Sequence, residues 1–329
     1  MRVVVYGAGA VGGVVGAMLH RCGHRVSLIA RGRHLEAIAE HGLVLERPGE
    51  SERLDVEAVG DPGDLDWSEP ATVLLAVKGQ DTDGALAALG RVAPEGTAVV
   101  CAQNGVENER RVLRRFERTY GMAVVCAATL IHPGVVQAHF APVTGVLDLG
   151  RYPDGVDATS SELAEALSAA GFESAARPDI MRWKYRKLLH NLSNAIEVLC
   201  GPAGRGSELA RRAAQEGEEV LTAAGIDVAT VEEDLERRGR LVFGEAGALS
   251  ATESGPWQGG STWQSVVRGG EVEVDYLNGE IVLFGRLHGV ATPVNAVLQR
   301  RTKELARSGE GPGRLDPEGL VSEIERSLS

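Results

Sequence analysis

The chain has little that would mark a secreted, metal-binding or membrane protein. Only four of its 329 residues are cysteine, and Cys22, Cys101, Cys126 and Cys200 are scattered with no CxxC spacing. No disulfide framework or thiolate metal site is implied, and unpaired thiols suit a reducing cytoplasm, where the protein is expected. The eight histidines form no HExxH-type cluster, so no metal site is expected. No apolar run reaches the length of a membrane span. The apolar N-terminus is interrupted by Gly7, Gly9, Gly12, Gly13 and Gly16, and no basic region precedes it, so it does not read as a signal peptide. Positive charge is in deficit, with 34 Lys+Arg against 46 Asp+Glu and a net charge of −12. That balance argues against nucleic acid or an anionic membrane as a partner. The length leaves room for two domains with ample cores.

The chain begins with its most informative stretch. Arg2 to Tyr6 (RVVVY) is a short β-branched run that reads as a buried strand, and Val14 to Leu19 reads as a helix. Between them lies Gly7-Ala8-Gly9-Ala10-Val11-Gly12, a GxGxxG in the strand–turn–helix setting of a dinucleotide-binding fingerprint. Gly7 permits the tight turn, Gly9 removes a side chain where a pyrophosphate approaches, and Gly12 lets helix and strand pack closely. The helix N-terminus offers unpaired N–H groups to the phosphates. The bland alternative is a Gly-rich turn in an α/β fold without a ligand. Arg25 to Ile29 is the second strand, and it ends Ala30-Arg31-Gly32-Arg33 with no acid to bind a ribose 2′-hydroxyl. Guanidiniums there suit the 2′-phosphate of NADP, the alternative being ordinary surface arginines.

Leu43 to Glu46 and Leu54 to Val59 read as paired strands around a loop at 47–53. Thr72 to Val77 and Thr97 to Cys101 read as central parallel strands, ending at Lys78 and at Gln103-Asn104-Gly105. Polar residues beyond the carboxyl ends of parallel strands are where doubly wound sheets bind ligands, so Lys78 and Asn104 are candidates by position. A solvated strand end and a turn former are the competing explanations. Ala123 to Ala128 and Thr144 to Leu149 are further strands, followed by a helix over 160–170 and a short last strand at Phe172 to Ala175. The fold class expected is α/β, a Rossmann-type doubly wound sheet over residues 1–177, then an all-helical domain over 178–329. Helices are expected at about 180–199, 208–224, 231–243, 274–287, 294–306 and 317–328.

The first helix of the second domain carries Lys184, Lys187, Asn191 and Asn194. At ~100° per residue, Asn191 and Asn194 lie about 40° and 20° to either side of Lys187, making one polar stripe. Such a stripe is costly to bury without partners, and a solvated helix face is the alternative. A second segment, Ser261-Thr262-Trp263-Gln264 and then Glu273-Val274-Asp275-Tyr276-Leu277-Asn278-Gly279, places a serine and carboxylates near helix starts.

Taken in order, these motifs resemble the ketopantoate reductases (2-dehydropantoate 2-reductases). The resemblance spans nearly the whole chain: GAGAVG, the Arg after the second strand, Val77-Lys78, Gln103 to Gly105, Lys187 to Asn191 as KLLxN, the Ser261 segment, Glu273 to Gly279, and His288 to Asn295. It implies a Rossmann domain followed by a helical domain of the 6-phosphogluconate dehydrogenase type. It implies reduction of 2-dehydropantoate to pantoate with NADPH, a step towards pantothenate and coenzyme A, and it allows a homodimer. Residue by residue, it implies that Gly7, Ala8, Gly9, Ala10, Val11, Gly12 and Arg31 hold NADPH. Lys78 and Asn104 would line the nicotinamide side, and Asn104 would also reach the substrate. Lys187 matches the catalytic lysine, Asn191 and Ser261 match substrate-holding groups, and Glu273 matches an essential carboxylate near lysine and cofactor.

Three departures bear on the substrate. The second amide of the lysine helix falls at Asn194, where the family more often has it at the place of Ala195. Tyr185 stands where Trp is common, and Trp263 stands where a smaller side chain is more usual. They leave open another 2-keto acid as substrate, and a non-catalytic NADP-binding regulator is the alternative from a different class.

Overall fold

In a computed structural model of the chain, residues 1–243 and 259–328 are described. They divide into two compact units. The first holds Met1–Lys184 and the described part of 232–257; the second holds Tyr185–Val231 and the described part of 258–329. The division falls a little beyond the expected Arg177, inside a helix, because the first turns of that helix are tied to the sheet domain. The described residues from Glu232 to Phe243, expected with the helical domain, group instead with the first unit.

Unit one is built on strands β1 (Arg2–Tyr6), β2 (Arg25–Ile29), β3 (Leu43–Arg47), β4 (Glu50–Leu54), β5 (Glu57–Val59), β6 (Thr72–Leu75), β7 (Ala98–Cys101), β8 (Thr119–Val125), β9 (Ala128–His132), β10 (Val135–Ala138) and β11 (Val146–Arg151). A seven-stranded sheet runs β11-β8-β7-β6-β1-β2-β5, parallel throughout except for β11. The order reverses direction at β1, the switch point where a doubly wound sheet opens a crevice at its carboxyl edge. A second sheet, β4-β3-β10-β9, lies apart from it. The pairing expected around 47–53 is therefore tighter and goes elsewhere. Pro48-Gly49 turns β3 back onto β4, with Gly49 at φ +78°, while β5 joins the edge of the main sheet.

Helix α1 (Ala10–Arg21) explains its own glycines. A Cβ on Gly16 would come within 2.7 Å of Leu28, and one on Gly13 within 2.7 Å of Val136. The helix is thus pressed between the main sheet and β10, and only small residues let both faces approach. Helices α2 (Gly32–His41), α3 (Thr82–Leu89), α4 (Asn108–Leu113) and α5 (Ala158–Ala169) complete the layers, α5 starting at an Asp157–Ser160 capping box. The strand expected at Phe172 to Ala175 is replaced by isolated bridges at Glu173 and at the following Ala176.

Beyond it come α6 (Ile180–Asn191), α7 (Ser193–Cys200), α8 (Glu208–Ala223), α9 (Val231–Arg238), α10 (Ser261–Val267), α11 (Asn278–His288), α12 (Pro293–Ser308) and α13 (Pro317–Leu328). The helix expected over 180–199 is broken at Leu192. Asn278 Nδ2 takes the Leu192 carbonyl at 3.2 Å, and Ser193 Oγ donates to the His190 carbonyl at 2.9 Å, so side chains replace ladder bonds. Helix α9 stops well short of 243, and Phe243 pairs with Phe140, ring centroids 4.7 Å apart. Unit two's core gathers Ile196, Leu199, Leu209, Val294, Leu298 and Ile324 from α7, α8, α12 and α13. Among the described residues no helix is long and apolar enough to cross a membrane.

Candidate functional site

In unit one the fingerprint glycines meet the demands placed on them. Gly7 has φ +105°, and a Cβ there would lie 2.8 Å from the Ala76 and Val77 backbone. A Cβ on Gly12 would collide with the Gly7 carbonyl oxygen. Gly9, the N-terminal boundary of α1, faces open space, with nothing within 4 Å of a Cβ. The turn itself hangs from β2, since Gly7 and Ala8 both donate backbone N–H groups to the Ile29 carbonyl at 3.1 Å. The N-cap residue Gly9 offers no side chain to cap the first N–H groups of α1. A glycine turn opening a helix in this way can hold a pyrophosphate.

Arg31, Lys78 and Asn104 follow β2, β6 and β7, all of which run parallel to β1, so all three lie at the same edge of the sheet as the glycine turn. Arg31 is exposed, 3.6 Å from Asp81, and hydrogen-bonds the buried Tyr6 phenol. Burial raises the Tyr6 pKa, and the Arg31 guanidinium opposes it. Lys78 and Asn104 are half-buried. Their segments are held by residues that attracted little notice in the sequence. Gln103 Nε2 donates to the Val77 carbonyl at 2.8 Å and to Thr82 Oγ1 at 2.9 Å, and Thr82 donates to Asn108 Oδ1 at 2.9 Å. Buried amides that satisfy one another across strand ends fix those ends rigidly.

Lys184 belongs to this unit and is fully committed. Its Nζ lies 2.6 Å from Glu109 Oε1 and donates to the carbonyls of Gln103 and Met122 at 3.0 and 3.3 Å. The side chains of Lys184 and Glu109 are 2% and 0% exposed. Beside them burial pushes the Cys101 thiol well up, helped by Glu109 and opposed by Lys184. Trp183 stacks under Arg177 at 4.0 Å.

Unit two holds Lys187, Asn191, Asn194, Ser261 and Glu273. Lys187 and Glu273 are half-buried, Asn191 and Asn194 are buried, and Ser261 is exposed. The structure brings Asn194 and the start of the Ser261 helix together through two residues that the sequence reading passed over. Glu197 accepts the Gly260 N–H at 2.9 Å and pairs with Arg205 at 2.7 Å, and Arg205 also donates to Asn194 Oδ1 at 2.9 Å. Gly260 is needed there, because a Cβ would lie 2.9 Å from both Glu197 and Arg205. The signal for Glu197 was a lone acid among Ala195, Ile196, Val198 and Leu199. Arg205 sat unremarked in a Gly-rich connection. Because α6 ends at Asn191, the even stripe drawn through Lys187, Asn191 and Asn194 is interrupted between the two amides.

Other members of the sequence motif serve packing. Asn278 is buried and bonds the Leu192 carbonyl and Asn295 Oδ1, while Asp275 pairs with Lys303 at 2.9 Å on the surface. Trp263 packs against Gly259 and Gly313. Among the described residues no group of three or more His, Cys, Asp or Glu side chains is placed to hold a metal ion.

Comparison with known proteins matches this arrangement over most of its length. Residues 3–154 fit the family described as ketopantoate reductase PanE/ApbA, and residues 179–306 fit its C-terminal domain. A 2-dehydropantoate 2-reductase of Halobacterium salinarum is 30% identical, the match covering 94% of this chain and 100% of that protein. One from Pyrococcus horikoshii is 28% identical over 94% of this chain and 99% of its own. A crystal structure of a PanE/ApbA family ketopantoate reductase from Ralstonia eutropha superposes with a TM-score of 0.78 at 30% identity, covering 94% of this chain and 99% of that one. A D-mandelate dehydrogenase solved with NADH and anilino(oxo)acetate shares the fold, with a TM-score of 0.79 at 24% identity over 94% and 99% of the two chains. The chain belongs to the PanE/ApbA ketopantoate reductase family, and it is an oxidoreductase acting on CH–OH groups.

Proposed function

We propose that this protein reduces a 2-keto acid with NADPH, that the acid is 2-dehydropantoate, and that Lys187 donates the proton. The observation that carries the assignment of the lysine is the sequestration of Lys184. A lysine enclosed by Glu109 and two carbonyls has no reach towards a substrate, which leaves the half-buried Lys187 of the KLLxN segment.

The glycine turn, with open space at Gly9, suits the pyrophosphate of a dinucleotide, and Arg31 suits a 2′-phosphate. The cofactor would supply the hydride. Hydride arrival at a keto carbon leaves negative charge on oxygen, and Lys187 Nζ would meet it with both a proton and a positive charge. Amide and hydroxyl donors at Asn191, Asn194 and Ser261 would hold the carboxylate, with Asn104 bordering substrate and nicotinamide. Glu273 would balance the charge of the lysine. Lys78 would line the nicotinamide side. The product, pantoate, would feed pantothenate and coenzyme A synthesis.

Purified protein with NADPH and a panel of 2-keto acids, followed by cofactor absorbance, tests the whole reading. Turnover of 2-dehydropantoate is expected. A specific observation favours keeping a second acid in the panel. Asn194 turns its oxygen to Arg205, and that residue sits across the α6–α7 break from Asn191, so the grip on the substrate's distal hydroxyl is expected to be weak. Sites that do not bond a substrate hydroxyl reject its absence poorly. 2-Keto-isovalerate, which lacks the hydroxymethyl group, should therefore be turned over within about tenfold of 2-dehydropantoate. A preference of several hundredfold would restore an ordinary hydroxyl-binding site, and no turnover of either would remove the substrate assignment.

A further inference from the structure

The glycine turn is braced by a histidine that its motif does not contain. His34 lies on α2, and its ring is inserted between two backbone groups far apart in sequence. Its Nε2 is 2.7 Å from the Ala8 carbonyl oxygen, and the Gly134 N–H reaches its Nδ1 at 2.9 Å. These partners fix the tautomer. A backbone amide can only donate, so Nδ1 is the bare acceptor; a carbonyl can only accept, so Nε2 carries the hydrogen. Burial lowers the His34 pKa, with the Ala8 carbonyl working against it, which favours the neutral ring that this arrangement requires.

The bond to Ala8 has a geometric consequence. In a trans peptide the C=O and N–H groups point in opposite directions. Holding the Ala8 carbonyl on His34 therefore turns the Gly9 N–H the other way. The glycine itself can rotate widely, and nothing stands within 4 Å of its Cβ position to hold the plane sterically. The neighbouring N–H groups of Gly7 and Ala8 are already spent on Ile29, so they cannot set the Ala8–Gly9 plane either. We infer that His34 is a positioning residue for the dinucleotide, a latch on the Ala8–Gly9 peptide plane that aims the Gly9 N–H at the pyrophosphate. Gly134, in the turn between β9 and β10, anchors the latch from the second sheet.

The inference rests on dinucleotide binding at the glycine turn, and the test separates the two. Dissociation constants for NADPH and NADH are measured by cofactor fluorescence for the whole protein, His34→Ala and His34→Gln. His34→Ala should weaken both cofactors by about the same factor, roughly tenfold, the scale of one well-placed hydrogen bond. Equal loss is the mark of the shared pyrophosphate, in contrast to a change at the 2′-phosphate. The KM for the keto acid at saturating NADPH should stay within about twofold. His34→Gln keeps an N–H donor of similar reach and should recover most of the affinity. Unchanged cofactor affinity in His34→Ala, with wild-type binding intact, overturns the latch alone. So does equal weakening in both variants with equal loss of thermal stability, which marks general loosening. Should His34→Ala fail to fold, His34→Gln decides: affinity near wild type supports the latch, and a loss beyond tenfold overturns it. A wild-type protein that binds neither cofactor would sink the nucleotide reading, and the latch with it.

Discussion

The opening turns of α6 and its last turn use lysine in opposite ways. Lys184 is closed in by Glu109 and by the carbonyls of Gln103 and Met122, and it has almost no contact with solvent. Lys187, one turn further on, is half-buried and stands one turn before Asn191. By helix geometry they are about 60° apart, so their angular position does not separate them, and in the sequence only the LLxN spacing after Lys187 favours one over the other. What separates them is the partner each one meets. A buried acid on α4 makes the first a structural ion pair, whereas the second is half-buried, as the proposed role of a proton donor requires.

Breaking each lysine should therefore break a different property. Lys184→Ala should have the largest effect, a loss of about 3–5 kcal/mol of stability, because Glu109 would be left charged and buried without its partner. Thermal or urea unfolding measures it. Replacing both by apolar residues, Lys184→Met with Glu109→Leu, should recover much of the loss, and a double variant as weak as the single would mean that the pair is not the cause. Lys187→Ala should leave the unfolding midpoint nearly unchanged and cut kcat by at least ~10²-fold, the scale for a general acid. If activity followed Lys184 in a folded protein and ignored Lys187, the contrast between the two would be reversed.

The comparison sharpens further at the cofactor. Arg31→Ala should raise the KM for NADPH about tenfold while moving that for NADH little, since only NADPH carries the phosphate that a guanidinium would grip. Equal loss for both would place Arg31 outside the 2′-phosphate site. The smallest effect concerns pH. Burial lowers the pKa of both His34 and His139, the latter bonded to Thr129 at 2.8 Å. A lowered native pKa means that the unfolded chain binds protons first as pH falls. The stability these neutral rings support is present above the ordinary histidine pKa of about 6.5 and is lost as pH drops through the lowered native values. The unfolding midpoint should fall from pH 7 to pH 5, and His139→Gln should flatten that slope. A slope indifferent to both histidines would assign the effect elsewhere.

Much of the first unit was legible from local pattern. Short β-branched runs separated by turns gave the central strands, and GxGxxG between a strand and a helix gave the glycine turn. The second unit was legible as helices, yet its polar contacts were not. Asn194 looked like one member of a stripe, but the break at Leu192 involves Asn278, far away in sequence, and the bond to Arg205 needs the 202–206 segment to fold back onto α7. Likewise β5 leaves its expected partner because a strand's choice of neighbour is made across the sheet and not along the chain.

The sequence by itself determined the order of the elements, the glycine turn, the candidate lysines and amides, and the family. Those follow from side-chain period and from short motifs whose chemistry is complete within a few residues. Only the tertiary structure decided that Lys184 is an ion-pair anchor, that Glu197 and Arg205 join Asn194 to the Ser261 helix, and that His34 grips the glycine turn. Each of these depends on hydrogen bonds or charges meeting between separate elements, and it is the folded chain, burying such groups only where partners satisfy them, that chooses the pairs.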